Sequence, residues 1–282
     1  MRECGWLCGF DRNLLCVPLA LALLLALAAS AQSGEADGVV LEPAPPDLDA
    51  REVALRAENS MRGDRTFMRA AMTVRSPRLS KPRVVEFESW DDRPGKRSFI
   101  RIHAPAKDAG AAFLKLHPNL WSYVPRVERT LRIPPSMMMQ SWMGSDFTND
   151  DLVRESSTID DYDHEVLGID PSPVDGDAMR AYVVEFTPHE EAPVVWGKIL
   201  AWIEIEHGTQ LRQDFYDEDG ELMRTMRFRD IRELQGRWVP HVWDVVPLDK
   251  EGHSTRIEIF EFRFDKDFDE SIFTTGNLKK RK

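Results

Sequence analysis

Apolar and polar residues alternate along most of the chain. In residues 66–75, Met68 and Met72 share one predicted face, and Arg69 and Thr73 share the other. Because successive strand residues point to opposite sides, this pattern predicts one apolar and one solvated face, as in an antiparallel sheet. The same alternation recurs in residues 180–186, 199–206, 222–229 and 256–264, where Phe260, Phe262 and Phe264 are predicted to share the apolar face.

Turn-forming residues separate these runs. Asp217–Gly220 and Lys250–Gly252 each lie between two alternating segments, and Asp91–Gly95 lies between residues 83–90 and 96–103. Such spacing predicts about nine to eleven strands in a sandwich or barrel. Nearly every strand carries charges on its less apolar face, which argues against a transmembrane barrel. No repeat or break divides the chain, so we expect one large curved sheet.

A different pattern precedes the strands. Residues 47–61 predict a short helix, capped by Asp47 or Asp49 and ended by Gly63. Residues 32–46 contain three prolines and predict a flexible linker. Together these features predict one domain over residues 47–282.

The first 31 residues form a separate region. Arg12 precedes an apolar run from Leu14 to Ala29, which closes with the small residues Ala29-Ser30-Ala31. This order predicts a secretory signal peptide cleaved near Ala31. The alternative is an uncleaved membrane anchor, although the run falls short of the roughly 18 apolar residues of a spanning helix.

The three cysteines, Cys4, Cys8 and Cys16, all lie in this predicted signal segment. Cys16 stands before most of the apolar run, whereas a lipoprotein signal needs a cysteine at the cleavage point. We therefore expect an exported chain that is not itself a lipoprotein and whose core holds without disulfides.

Charge restricts the partners. The chain has 37 basic and 48 acidic residues, a formal net charge of −11. Nucleic acid is therefore an unfavourable partner, because its phosphates would be repelled at long range. The basic tail Lys279–Lys282 is predicted to be simply solvated.

Catalytic and metal-binding patterns are weak. Ser145 follows a glycine but lacks the G-x-S-x-G pattern of a nucleophile elbow. Asp161, Asp163 and Glu165 would share one strand face without His164, which predicts a solvated strand rather than a metal site. We therefore expect no enzymatic activity, no bound metal and no cofactor.

The middle of the chain, residues 120–152, is rich in methionine and tryptophan. Met137, Met138 and Met139 are consecutive, and Trp142 and Met143 follow closely. Clustered methionines make apolar surfaces that adapt to irregular ligands. Prolines and a glycine predict a loop or short helix laid over the sheet. Two interpretations stay open on composition: a flap over a cavity for an acyl chain, or ordinary core packing under a long loop.

A family resemblance lies in several short motifs. They are Asp108-Ala109-Gly110 with Leu114-Lys115, Leu120–Pro125, Arg132-Ile133, Met143–Phe147, Asp150-Asp151-Leu152 and, further on, Tyr216-Asp217 with Gly220, Pro240, Phe273 and Leu278. Together they resemble the LolA-like branch, the outer membrane lipoprotein-sorting proteins. The resemblance implies a mainly β (α+β) fold, a half-open antiparallel β-barrel with short helices and loops as a lid over its concave face.

The resemblance also implies a periplasmic carrier that holds a lipid or a lipoprotein acyl group in an apolar cavity. The expected cavity residues are Met68, Met72, Phe87, Trp121, Tyr123, Met137, Met138, Met139, Trp142, Met143 and Phe147. Arg132 is the candidate polar contact of the lid. Expected partners are acyl chains, an inner-membrane transporter as donor and an outer-membrane acceptor, with the protein itself a monomer.

Two other functions stay open. One is a lipid-sensing regulator of envelope stress that acts on a membrane partner. The other is a hydrolase that depends on Ser145.

Overall fold

An open antiparallel sheet of thirteen strands organises the chain. The computed structural model describes residues 35–36, 39–153, 158–173, 179–190, 192 and 194–280. Two short strands, β1 (Glu35–Ala36) and β2 (Val39–Val40), form a separate ribbon. The sheet strands are β3 (Arg65–Arg75), β4 (Arg83–Asp92), β5 (Arg97–Ala104), β6 (Ala112–Leu116), β7 (Asn119–Val124), β8 (Arg129–Ile133), β9 (Tyr162–Asp170), β10 (Ala181–Pro188), β11 (Lys198–Glu204), β12 (Gln210–Tyr216), β13 (Leu222–Leu234), β14 (Arg237–Pro247) and β15 (Ser254–Phe264).

The strand order is β8-β7-β6-β5-β4-β3-β15-β14-β13-β12-β11-β10-β9. All neighbours are antiparallel, and the first and last long strands meet at the centre, where Met72 of β3 lies opposite Ile257 of β15. The edges β8 and β9 do not pair with each other, so the sheet stays open. This architecture confirms the predicted half-open barrel.

Two strands lie where the sequence pattern predicted a loop or short helix. β7 and β8 form a hairpin around a 3-10 helix at Pro125–Val127, and Glu128 takes a left-handed conformation with φ of 51°. The prolines therefore lie in the turn and after β8, not within the strands. The sheet consequently has more strands than the nine to eleven expected.

In the part of the chain that the structure describes, helices are few and short. α1 (Ala50–Met61) begins after Asp49, whose side chain accepts hydrogen bonds from the backbone N–H groups of Arg51 and Glu52 at 2.9 and 3.2 Å. Asp49, rather than Asp47, is therefore the cap. The others are α2 (Asn149–Val153), α3 (Thr275–Leu278) and four 3-10 helices at Pro125–Val127, Pro135–Met137, Trp142–Gly144 and Glu270–Phe273. Among the described residues, no helix has the length and apolar character required to cross a bilayer.

One residue of the predicted apolar faces points the other way. Phe262 and Phe264 are 6% and 1% exposed, but Phe260 is 61% exposed. The pairing of β15 with β3 shifts between Ile259 and Glu261, because a bulge inserts an extra residue there. A bulge interrupts the period of two. The prediction that Phe260 belongs to the apolar face is therefore wrong.

Part of the segment predicted as a linker contacts the sheet. Leu41 is 1% exposed, and Glu42 exchanges two backbone hydrogen bonds of 2.8 Å with Ile169 of β9. The predicted signal peptide, residues 1–31, lies outside the described residues.

Candidate functional site

The concave face of the sheet is a continuous apolar surface. Alternate residues of ten strands between β3 and β15 contribute side chains that are almost entirely buried. They include Met68, Met72, Val85, Phe87, Ile100, Ile102, Phe113, Leu120, Val184, Phe186, Ile199, Phe215, Met226, Phe228, Ile257 and Phe262. We call this set, with the side chains that pack on it, the main cluster.

Two elements cover the main cluster. Helix α1 packs Val53, Ala54 and Ala57 against it. Residues 134–153, which follow edge strand β8 and which we call the covering segment, contribute Met138, Trp142 and Phe147. The protein's own side chains therefore fill the space over the concave face.

The backbone of the covering segment folds back on itself around Trp142. The N–H of Trp142 donates to the carbonyl of Phe147 at 2.8 Å, and Ser141 bridges to Thr148. Met143 and Gly144 between them have φ of 53° and 73°. A left-handed conformation is strained for most L-residues and is easily adopted by glycine. This tight reversal turns Trp142 towards the sheet.

Trp142 occupies the centre of the covered region. Its ring is 1% exposed and lies 5.5 Å from the ring of Phe87 and 5.6 Å from that of Phe113. Its indole Nε1–H is buried and has no hydrogen-bond partner among the described residues. An unpaired buried donor costs about 1–3 kcal/mol. The ring therefore fills an entirely apolar site that does not satisfy its polar atom.

A buried ion pair holds the end of the covering segment on the sheet. Arg224 of β13 donates two hydrogen bonds of 2.6 Å to the carboxylate of Asp151. The guanidinium also lies over the rings of Phe215 and Trp196, at 4.2 and 4.7 Å. Paired and stacked in this way, the two charges are kept out of water.

Asp151 stays ionised in this environment. Burial by itself would raise the pKa of its carboxyl. The charge and hydrogen bonds of Arg224, together with hydrogen bonds from the backbone and hydroxyl of Thr148 at 2.7 and 2.9 Å, outweigh burial and lower the pKa below its usual value. The ion pair therefore persists at neutral and mildly acidic pH.

Two further polar contacts fix the middle of the covering segment. Arg83 of β4 donates to the carbonyl of Met143 at 2.5 Å and pairs with Asp108 at 2.7 Å. Thr255 of β15 accepts from the backbone N–H of Asp146 and donates to its carboxylate, at 3.0 and 2.7 Å. The segment is thus attached by a few polar contacts around an apolar interior.

Seven of the eleven predicted cavity residues come together in the main cluster: Met68, Met72, Phe87, Met138, Trp142, Met143 and Phe147. Trp121 and Tyr123 lie on the opposite face of β7, packed with Phe99 and Leu114. Met137 is half-buried, and Met139 is 38% exposed.

The predicted lid arginine, Arg132, is exposed on edge strand β8, opposite Trp121. Arg83 and Arg224, which the sequence pattern did not indicate, contact the covering segment instead. A usable signal was present at Thr148–Asp151, whose T-x-x-D pattern forms a capping box. The pattern locates the start of α2, but not the arginine that its carboxylate meets.

Other polar groups and cavities lie away from the main cluster. Side-chain atoms of Glu204, at the end of β11, and of Glu206 and His207, in the turn that follows, lie within 4.8 Å of one another. Glu204 there accepts hydrogen bonds from the backbone N–H groups of Glu206 and His207 at 2.6 and 2.7 Å. Beside them is a cavity of about 410 Å³ that includes Trp238, and one of about 460 Å³ lies at the start of α1.

Comparison with known proteins finds a matching family model and several solved structures of similar fold. A protein-family model described as "-like: Uncharacterized protein" matches residues 95–280. No curated protein matches the chain in sequence. A DUF1329 family protein from Desulfovibrio piger superposes with a TM-score of 0.72 at 23% identity, over 81% of this chain and 97% of the other.

Two further solved structures share the fold. A domain named as an outer membrane lipoprotein-sorting protein, from Vibrio parahaemolyticus, has a TM-score of 0.70 at 23% identity, over 82% of this chain and 98% of the other. A LolA-superfamily protein from Nitrosomonas europaea has a TM-score of 0.68 at 20% identity, over 82% and 99%. At these identities the likeness shows the fold alone, the half-open antiparallel barrel that this chain shares with all three structures.

Proposed function

The chain belongs to the family described as "-like: Uncharacterized protein" and has the LolA-superfamily fold, and from this premise we propose that it carries lipid in the periplasm. In this proposal, the acyl chain of a lipid or of a lipoprotein binds against the main cluster. The protein binds and releases its ligand without chemical turnover. Donor and acceptor membranes lie on either side of the compartment.

The way in which the covering segment is held on the sheet supports this proposal. Trp142, Met138 and Phe147 fill an apolar interior, yet the covering segment that carries them is attached to the sheet by a few polar contacts. Breaking those contacts would uncover the concave face without disrupting the sheet, because all thirteen strands pair independently of the segment.

The energetics of exchange are favourable for a long acyl chain. Each buried methylene contributes about 0.8 kcal/mol, so a dozen contribute roughly 10 kcal/mol. This gain must exceed the cost of separating Arg224 from Asp151, of exposing the covering side chains and of ordering the ligand. A short chain would not meet that cost, so we expect selectivity for long acyl chains.

A reversible cross-link tests the proposal. Cysteines at Asp146 and Thr255, introduced after replacement of Cys4, Cys8 and Cys16 by serine, would join the covering segment to β15. Uptake of a fluorescent long-chain fatty acid should be lost in the oxidised or bismaleimide-linked form and return on reduction of the disulfide.

A matched pair on the solvated face serves as control. Asp244 and Arg256 lie opposite each other on β14 and β15, so cysteines there link two strands without touching the covering segment. Equal uptake by the linked and open forms of the Asp146/Thr255 variant would contradict the proposal. So would an absence of bound lipid in native mass spectrometry together with no uptake of the fatty acid.

A further inference from the structure

Edge strand β8 and the turn before it present arginines interleaved with exposed apolar side chains. Val127 and Leu131 are 59% and 51% exposed, and Arg126, Arg129 and Arg132 are also exposed. We call these five residues the edge surface. No described strand pairs with the outer side of β8.

The edge surface is a basic region of an acidic protein. Between Asp108 and Asp146 the sequence has one acidic residue, Glu128, against four basic ones, so this stretch carries +3 in a chain of −11. The three arginines of the edge surface form no side-chain hydrogen bond or ion pair with the described part of the chain. Elsewhere on the sheet many arginines are paired with carboxylates, as Arg224 is with Asp151. The charges of the edge surface are thus available to a partner.

The edge surface also adjoins the apolar interior. Side chains two residues apart on a strand share a face, so Leu131 lies on the same side of β8 as Ile133. Ile133 lies opposite Leu120 of β7 and packs against the main cluster. Leu131 therefore stands at the rim of the concave face, with the covering segment starting a few residues further on.

We propose that the edge surface docks on the anionic headgroup region of a lipid bilayer. Val127 and Leu131 enter the interface, and Arg126, Arg129 and Arg132 bind lipid phosphates. Docking goes beyond the carrier proposal, because it requires only exposed residues and no occupied interior. In the docked protein, the rim of the concave face and the start of the covering segment lie next to the membrane.

Charge favours a bilayer over a second copy of the chain at this edge. Antiparallel pairing of two β8 strands would bring the arginines of both copies together, and facing like charges destabilise strand pairs. The acidic remainder of the protein does not prevent docking, because charges beyond about 8 Å are screened at physiological ionic strength. Polybasic segments bind anionic leaflets by this local effect.

Vesicle flotation tests the proposal. The probes are vesicles of phosphatidylcholine alone and vesicles with one-third phosphatidylglycerol, free of other protein, at physiological salt. The full chain should float with the anionic vesicles. In the presence of the neutral vesicles it should stay unbound in the bottom fraction. Replacing Arg126, Arg129 and Arg132 by glutamine should weaken binding roughly a hundredfold, at about fivefold for each arginine. The pair Val127→Ser and Leu131→Ser should weaken it as well.

Matched variants elsewhere on the sheet control for net charge and apolar exposure. Arg75, Arg78 and Arg227 are exposed and can be replaced together by glutamine, and Leu248→Ser with Phe260→Ser removes two exposed apolar groups. These variants should bind anionic vesicles as the unaltered protein does. Uptake of the fluorescent fatty acid in detergent should be unchanged in the edge variants, which separates docking from carriage and reports that they fold.

Three results would overturn the proposal. One is no flotation with anionic vesicles, and another is an equal loss in edge and control variants. The third is a concentration-dependent dimer, measured by light scattering, that the edge variants abolish, since the edge would then pair with a second copy. If the chain floats only with membranes that retain their proteins, this outcome also contradicts the proposal and indicates a protein receptor.

Discussion

The guanidinium of Arg224 and the carboxylate of Asp151 form a two-fold hydrogen-bonded pair whose side chains are 4% and 16% exposed. The two residues are 73 positions apart in the chain. Their contact attaches the end of the covering segment to β13, and it does so in surroundings where neither charge is well hydrated. The strength of this pair therefore sets part of the cost of uncovering the concave face.

Removing one partner should destabilise the protein strongly. In Asp151→Ala, Arg224 would remain buried without a counter-charge, and breaking a buried pair in this way costs about 3–5 kcal/mol. We expect a loss of that size in the free energy of unfolding, measured by urea denaturation at neutral pH. The exposed pair of Arg256 and Asp244 is the control, and Arg256→Gln should cost less than about 1 kcal/mol. Equal losses in the two variants would contradict the assignment.

The same pair predicts a pH dependence. The pKa of Asp151 is lowered on folding, so the unfolded chain binds a proton at this site more readily than the folded chain. Its contribution to stability is therefore complete above the ordinary carboxyl pKa near 3.8 and is lost as pH falls through the lowered pKa. The difference in unfolding free energy between the unaltered protein and Asp151→Asn should therefore stay constant between about pH 5 and about pH 7 and shrink only at lower pH. A difference that already shrinks within this range would contradict the direction of the shift.

Because of the bulge in β15, substitutions of two neighbouring phenylalanines should differ strongly in their effect on stability. Phe262→Ala removes a buried ring from the main cluster and should cost about 3–5 kcal/mol of stability. Phe260→Ala removes a ring that is 61% exposed and should change stability by less than about 0.5 kcal/mol. Thermal or urea unfolding measures both variants. Comparable losses of stability in the two variants would mean that Phe260 is also buried, which would contradict the bulge in β15.

Replacing Trp142 should lower the stability of the protein but increase its uptake of fatty acid. Trp142→Ala loses a buried ring and should cost about 3–5 kcal/mol. The variant should nevertheless take up the fluorescent fatty acid more readily, because the ligand no longer has to displace the ring between Phe87 and Phe113. Fluorescence titration measures the change in Kd.

Trp202 offers a matched control for that variant. It is fully buried in a second cluster, on the other face of the sheet, and its Nε1–H donates to Asp170 at 2.9 Å. Trp202→Ala should lose stability without a gain in uptake. Tighter binding in both variants would mean that general loosening, rather than the site of Trp142, controls access.

The local features of the fold could be predicted from the sequence. The period of two located β3 and β11, and turn residues such as Gly220 located the hairpins, because both depend on neighbouring residues only. Helix α1 was predicted for the same reason, with Asp49 as one of two possible caps. Composition also indicated that Met138, Trp142 and Phe147 belong to a covered apolar region.

The tertiary structure decided which of these features meet. Alternation alone assigns a residue to one of two faces, but not to the concave or the convex side. Neither composition nor the resemblance indicated that Trp121 and Tyr123 pack in a different cluster from Trp142. A single extra residue in β15 reversed Phe260, since register is a property of the strand pair. The partner of Asp151 was equally hidden, because Arg224 reaches it only after β13 is in place. Sequence thus determined the strands and their apolar content, and long-range packing determined what they enclose and what attaches the covering segment.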